Sequence, residues 1–118
     1  MVQTNSQKMA QAAYVSVRQR ISPGVPEKYA SFARTFPSLV HTCGLAQAVA
    51  FAKAKGHGQY LDDLAAVLNK IGHAEAASVD SFEKATREYP VLAYVRLSRN
   101  TLQAAGWLKR YVEAVAPE

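Results

Sequence analysis

Apolar residues recur at intervals of three and four along almost the whole chain, and that spacing predicts helices. Near the start, Ala10, Ala13, Tyr14, Val17 and Ile21 fall on one helical face, with Gln7, Gln11 and Arg18 on another. Asn5 or Ser6 is the expected cap of this helix. The run SPGVP, residues 22 to 26, should stop it, because two prolines flanking a glycine cannot continue a helix. A short second helix is expected from Glu27 to Phe36, with Tyr29, Phe32, Ala33 and Phe36 inward. Pro37 should then turn a sharp corner into the next helix.

That next stretch, PSLVHTCGLAQAVAFAKAKG at residues 37 to 56, is the expected centre of the fold. No charge stands between Arg34 and Lys53, and alanines alternate with Leu45, Val49 and Phe51, so the helix is suited to burial on most of its circumference. A membrane span is the rival reading of 18 uncharged residues. Thr35, Ser38, His41, Thr42 and Gln47 interrupt it, and alanine contributes little transfer energy, so a core helix is favoured.

Beyond the break at GHG, residues 56 to 58, Leu61, Leu64, Leu68 and Ile71 form a stripe at helical spacing, with Asp62 and Asp63 assigned to its first turn. Asp80 and Glu83 have the spacing of a capping box for a further helix, with Phe82, Ala85 and Tyr89 inward and Glu83 four residues before Arg87. Pro90 ends it. From 91 to 115, Tyr94, Leu97, Thr101, Ala104, Leu108, Tyr111, Val112 and Val115 share one face, opposite Arg96, Arg99, Gln103 and Arg110; Trp107 lies at the border. No alternating strand pattern occurs, so the expected fold is all-α: a compact bundle of about six helices in a single domain, residues 1–118.

Charge alters this picture more than composition does. The chain carries a formal +5, and the first 58 residues hold seven basic side chains against Glu27 alone, whereas the remainder is balanced. Such asymmetry favours an anionic partner, nucleic acid before others. Arg18 with Arg20, Lys53 with Lys55, and Lys109 with Arg110 are clusters without matching acids. Each suits the negative end of a helix dipole, but three together suit a surface that follows phosphates and leaves sequence unread. One cysteine and a polar start with no secretory segment point to a reducing, cytoplasmic location, with no membrane.

Catalytic chemistry finds little support in the sequence. His41, His57 and His73 stand at no metal-ligand spacing, and Cys43 would project about 200° from His41 on a helix, so a buried, inert thiol is expected there. No phosphate loop or nucleotide fingerprint is present. Neither metal nor cofactor is therefore expected, and no enzyme activity.

Two segments carry a family resemblance. FARTFPSLVHTCGLAQAVAF, residues 32 to 51, and GWLKRYVEA, residues 106 to 114, resemble the small all-helical subunit of the type III-B CRISPR effector, the Cmr RAMP-module complex. Cys43 departs from the asparagine expected before the Gly-Leu pair, and residues 72 to 90 match nothing assignable. The resemblance implies a noncatalytic structural subunit that stacks in several copies, head to tail, along the groove where guide RNA and target RNA pair, beside the backbone subunits. On this reading Arg18, Arg20, Arg34, Lys53, Lys55, Lys109 and Arg110 contact RNA, with His41 beside the motif, while Trp107 and Arg96 contribute to a protein interface. The alternatives are the analogous type III-A small subunit and a helical protein-interaction adaptor without a nucleic-acid role.

Overall fold

Helical periodicity is realised as six α-helices in a computed structural model, which describes residues 2–20 and 26–115. They are α1 (Asn5–Arg20), α2 (Glu27–Cys43), α3 (Leu45–Ala54), α4 (Gly58–Lys70), α5 (Val79–Glu88) and α6 (Val91–Val115), with a 3-10 turn at Ala74–Ala77 before α5. No strand occurs among the described residues, in agreement with the all-α expectation. The expected stop at residues 22 to 26 lies, apart from Pro26, outside the described residues.

The principal correction concerns Pro37. It stands inside α2 and does not divide two helices. A proline in a helix interior forfeits one backbone bond and costs about 3 kcal/mol. Here packing outweighs that cost, because Phe36 and Val40, one turn apart on the same face, are both buried and hold the helix on its course. The break comes seven residues later at Gly44, whose φ of 85° and ψ of 162° are open to glycine and almost nothing else. The expected central helix is thus two pieces, PSLVHTC closing α2 and the remainder forming α3.

Nor does that stretch form the centre. α4 packs against every other helix, and its Tyr60, Leu61, Asp63, Leu64, Ala65, Val67 and Leu68 are all buried. The long α6 lies across α1, α2 and α4, presenting Leu97, Thr101, Ala104, Leu108 and Val112 inward as the stripe predicted. α3 buries only Leu45, Ala48, Val49 and Ala52, and leaves Phe51 44% exposed.

Caps also differ from those expected, because hydroxyls one or two positions earlier reach the free backbone groups better. Gln7 N–H donates to Thr4 Oγ1 at 3.0 Å while Thr4 N–H donates to Gln7 Oε1 at 2.8 Å, so Thr4 takes the place assigned to Asn5 or Ser6. At α5 the reciprocal pair is Ser78 with Ser81, where Asp80 with Glu83 was expected. Glu83 still pairs with Arg87 at 2.7 Å. α3 has no side-chain cap of its own. Its Ala46 N–H donates instead to the hydroxyl of Tyr94, reaching over from α6 at 3.1 Å.

Replacing Gly44 with alanine tests the corner. A Cβ there would meet only the Tyr94 hydroxyl at 3.6 Å, an ordinary contact, so any loss reports backbone strain. Gly44→Ala is expected to lower unfolding free energy by about 1–3 kcal/mol in denaturant titration; a change below about 0.5 kcal/mol would refute the assignment.

Candidate nucleic-acid interface

Arg20 is the expected RNA contact that the fold puts to another use. Its guanidinium grips Asp63 with Nε to Oδ2 and Nη2 to Oδ1 both at 3.0 Å, and Tyr29 donates its hydroxyl to Oδ2 at 2.5 Å. Asp63 is not the helix-start residue expected, since α4 begins at Gly58 and the carboxylate is buried in the bundle. The hydrogen bond it donates to Asp63, against the opposing effect of burial, raises Arg20 above its ordinary value. Burial first, then the charge of Asp63, pushes the Tyr29 hydroxyl well above the usual phenol range. A two-pronged contact to a buried acid leaves this guanidinium little capacity for phosphate.

The other clusters form two basic and aromatic surfaces. On α1 and α6, Arg18 Nη1 donates to the Tyr14 hydroxyl at 2.7 Å and its guanidinium lies 5.5 Å from the centre of the same ring. Tyr14, exposed although assigned to the inner face, meets Tyr111 edge-on at 5.6 Å, and Tyr111 stacks on Trp107 at 5.9 Å. Arg18 and Trp107, expected in separate roles, thus belong to one ladder. Arg110 is exposed and Lys109 half-buried on the same helix as Trp107.

At the junction of α2, α3 and α4, Lys55 is exposed with its ammonium 6.0 Å from the Phe51 ring centre. Lys53 pairs with Asp80 of α5 at 3.1 Å, an exposed contact of small energetic value. His57 stacks on Phe32 at 3.7 Å and 8°, and burial, then the nearby charge of Lys28, lower its pKa. Sequence reasoning took Phe51 for a core residue, weighed His57 only as a metal ligand and counted Lys28 only as charge, giving none of them a surface role. The available signal was Phe51 four residues before Lys55, a spacing that brings a lysine over an aromatic ring.

His41 is exposed in the last turn of α2, Arg34 half-buried on the same helix, and Cys43 exposed, contrary to the buried thiol expected, because α2 runs on to place it at a solvent-facing end. Arg96 is exposed beside Val91, Leu92 and Val95, which are 74%, 85% and 46% exposed and form an apolar edge on α6. Trp107 is half-buried and eleven residues further on, roughly 16 Å along the helix, so the two expected interface residues do not share one patch. His73 is held between Glu75, at 2.9 Å, and Asn100, at 2.8 Å, and binds the turn before α5 to α6. Among the described residues no group of three or more His, Cys, Asp or Glu could hold a metal, and no helix is long and apolar enough to cross a membrane.

An all-helical bundle with positively charged aromatic surfaces is the class of protein that fold and surface define. The family model of the CRISPR-associated protein Cmr5 matches residues 5–115. The chain is 38% identical over 120 residues to the CRISPR system Cmr subunit Cmr5 of Thermus thermophilus, across 99% of this chain and 100% of that one. A crystal structure of a CRISPR-associated Cmr5 family protein from the same organism superposes with a TM-score of 0.84 at 36% identity, covering 98% and 99% of the two chains. The chain belongs to the Cmr5 family, as the motifs at residues 32–51 and 106–114 indicated, and this decides for the type III-B small subunit over its type III-A analogue.

Asp63→Ala tests the assignment of Arg20. Removing the acid strands a guanidinium whose side chain is only 25% exposed and deprives Tyr29 of its acceptor. Partial solvent access tempers the cost of a broken buried pair, and a loss of about 2–3 kcal/mol is expected, seen as a fall of several degrees in melting temperature. Arg110→Ala, on the exposed side of α6, should change stability by less than about 0.5 kcal/mol.

Proposed function

We propose that the chain is a noncatalytic structural subunit of a Cmr ribonucleoprotein effector, contacting the backbone of guide RNA or target RNA through Arg18, Lys55, Lys109 and Arg110. Its full-length likeness to a protein named as a Cmr subunit carries this reading. The clustered cations add support, because lysine and arginine on rigid helices recognise phosphate without reading bases. Lys53, His41 and Arg34 are secondary contributors, and Arg20 serves the fold. The absence from the sequence of any recognisable acid–base or nucleophile set favours a scaffold over an enzyme, and cleavage is then the work of other subunits. Other copies of the chain and the backbone subunits are the protein partners, with head-to-tail stacking requiring two different surfaces. The apolar edge of Val91, Leu92 and Val95 beside Arg96 suits one of them, and Trp107 belongs to a different face.

Two outcomes follow from this reading. In the assembled complex, Lys109→Ala with Arg110→Ala is expected to weaken capture of all RNA sequences alike and to flatten the dependence of log affinity on log salt by about 0.7 for each lost single-strand phosphate contact. A loss confined to one sequence, or an unchanged slope, would count against these contacts. Leu92→Glu is expected to leave the melting temperature of the isolated chain almost unchanged, since the side chain is 85% exposed. It should reduce incorporation into the complex at least about tenfold in a quantitative pull-down. Normal incorporation would exclude this edge as a stacking surface.

A further inference from the structure

Phe51 stands where a buried ring was expected, and its surroundings give that exposure a use. It forms one wall of an open groove between α2 and α3 of about 310 Å³, whose other lining residues are Phe32, Thr35, Ser38, Leu39 and Thr42. No carboxylate lines it. The Phe51 ring runs within 14° of parallel to Phe32 at 6.4 Å between centres, and Phe32 is in turn nearly parallel to His57. Three near-parallel rings therefore end at the exposed one. Lys55 lies at 6.0 Å from that ring, the outer limit of a cation–π contact and thus easily exchanged for another partner. The Lys28 ammonium stands at the Gly56 corner, 3.2 Å from where a Cβ on that glycine would sit.

We propose that this groove is a nucleobase-stacking subsite: an unpaired RNA base continues the ring column on Phe51, and its flanking phosphate is held by Lys55. The inference rests on the RNA-contacting role proposed above and adds to it a contact with a base face. Every base has a π-face, so such a contact adds affinity without sequence preference. The hydroxyls of Ser38 and Thr42 offer donors and acceptors along the groove that suit any base edge or ribose, and Thr35, whose hydroxyl donates to the Phe32 carbonyl at 3.2 Å, offers an acceptor. Charge decides the occupant. An apolar peptide would gain from Phe51 and Leu39 but would give Lys55 no counter-charge, whereas a nucleotide satisfies both ring and cation.

The experiment uses the complex reconstituted with full-length chain and bound to RNA in which 4-thiouridine replaces uridine. Irradiation followed by peptide mapping is expected to place a crosslink in the segment containing Phe51. Phe51→Leu, which keeps apolar bulk and removes the π-face, should abolish that crosslink and weaken RNA binding at least about fivefold, with an unchanged melting temperature, and Phe51→Tyr should restore both. Crosslinks to this chain only at other segments, or wild-type affinity in Phe51→Leu, would overturn the stacking subsite while leaving phosphate contact by the chain intact. No crosslink to this chain at any position, together with an unaltered salt slope in the Lys109/Arg110 variant, would overturn both readings. Failure of Phe51→Leu to enter the complex would mark the groove as a protein contact and refute the subsite.

Discussion

A carboxylate inside an apolar core can remain charged only if its oxygens are matched, and the arrangement of this bundle follows from how Asp63 is matched. Its partners come from two other helices, the last residue of α1 and the first turn of α2, and both must converge on α4. Those contacts bring Arg20 of α1 and Tyr29 of α2 together on α4. Apolar burial around Leu61, Leu64 and Leu68 supplies most of the stabilisation but has no direction of its own. The ion pair and the Tyr29 hydroxyl bond are directional, and Tyr29 adds an edge-on contact with Tyr60 at 5.8 Å.

Much of this was legible in the sequence because amphipathic helices declare their inward face. The inward residues of α2 and most of the stripes of α4 and α6 were read correctly; Tyr94, Tyr111 and Ile71 are only half-buried, and Val115, at the end of α6, is exposed. Apart from the caps, the misreadings arise where tertiary structure decides what a local signal cannot. Pro37 signals a break, but Phe36 and Val40 on either side are anchored in the core. Phe51 is apolar in an uncharged run, but among the described residues its side of α3 is only partly covered, by Phe32 of α2. Asp63 and Arg20 are 43 residues apart, and nothing in a one-dimensional pattern pairs them. The candidate surface was therefore readable as charge, while its division into a structural arginine and two aromatic-flanked cationic faces was not.

Aromatic rings recur beside the basic residues on both faces, and this arrangement orders side chains that would otherwise be mobile. Arg18 is held to Tyr14 by a hydrogen bond and ring contact together, at a smaller entropic cost on binding than a freely rotating lysine would incur. Tyr111 and Trp107 back that ring in turn, so the α1 surface is preorganised from the core outward.

The corner at Gly44 also sets the proportions of the molecule. A single rod from Glu27 to Ala54 would run about 42 Å at 1.5 Å per residue, beyond the 40 Å greatest extent of the chain. Folding back at Gly44 keeps that length within a slab only 22 Å through. In the proposed head-to-tail file of copies, the extent of the molecule along the stacking direction becomes the step along the RNA. One backbone corner, strained for any residue but glycine, would then help set how much of a strand each copy covers.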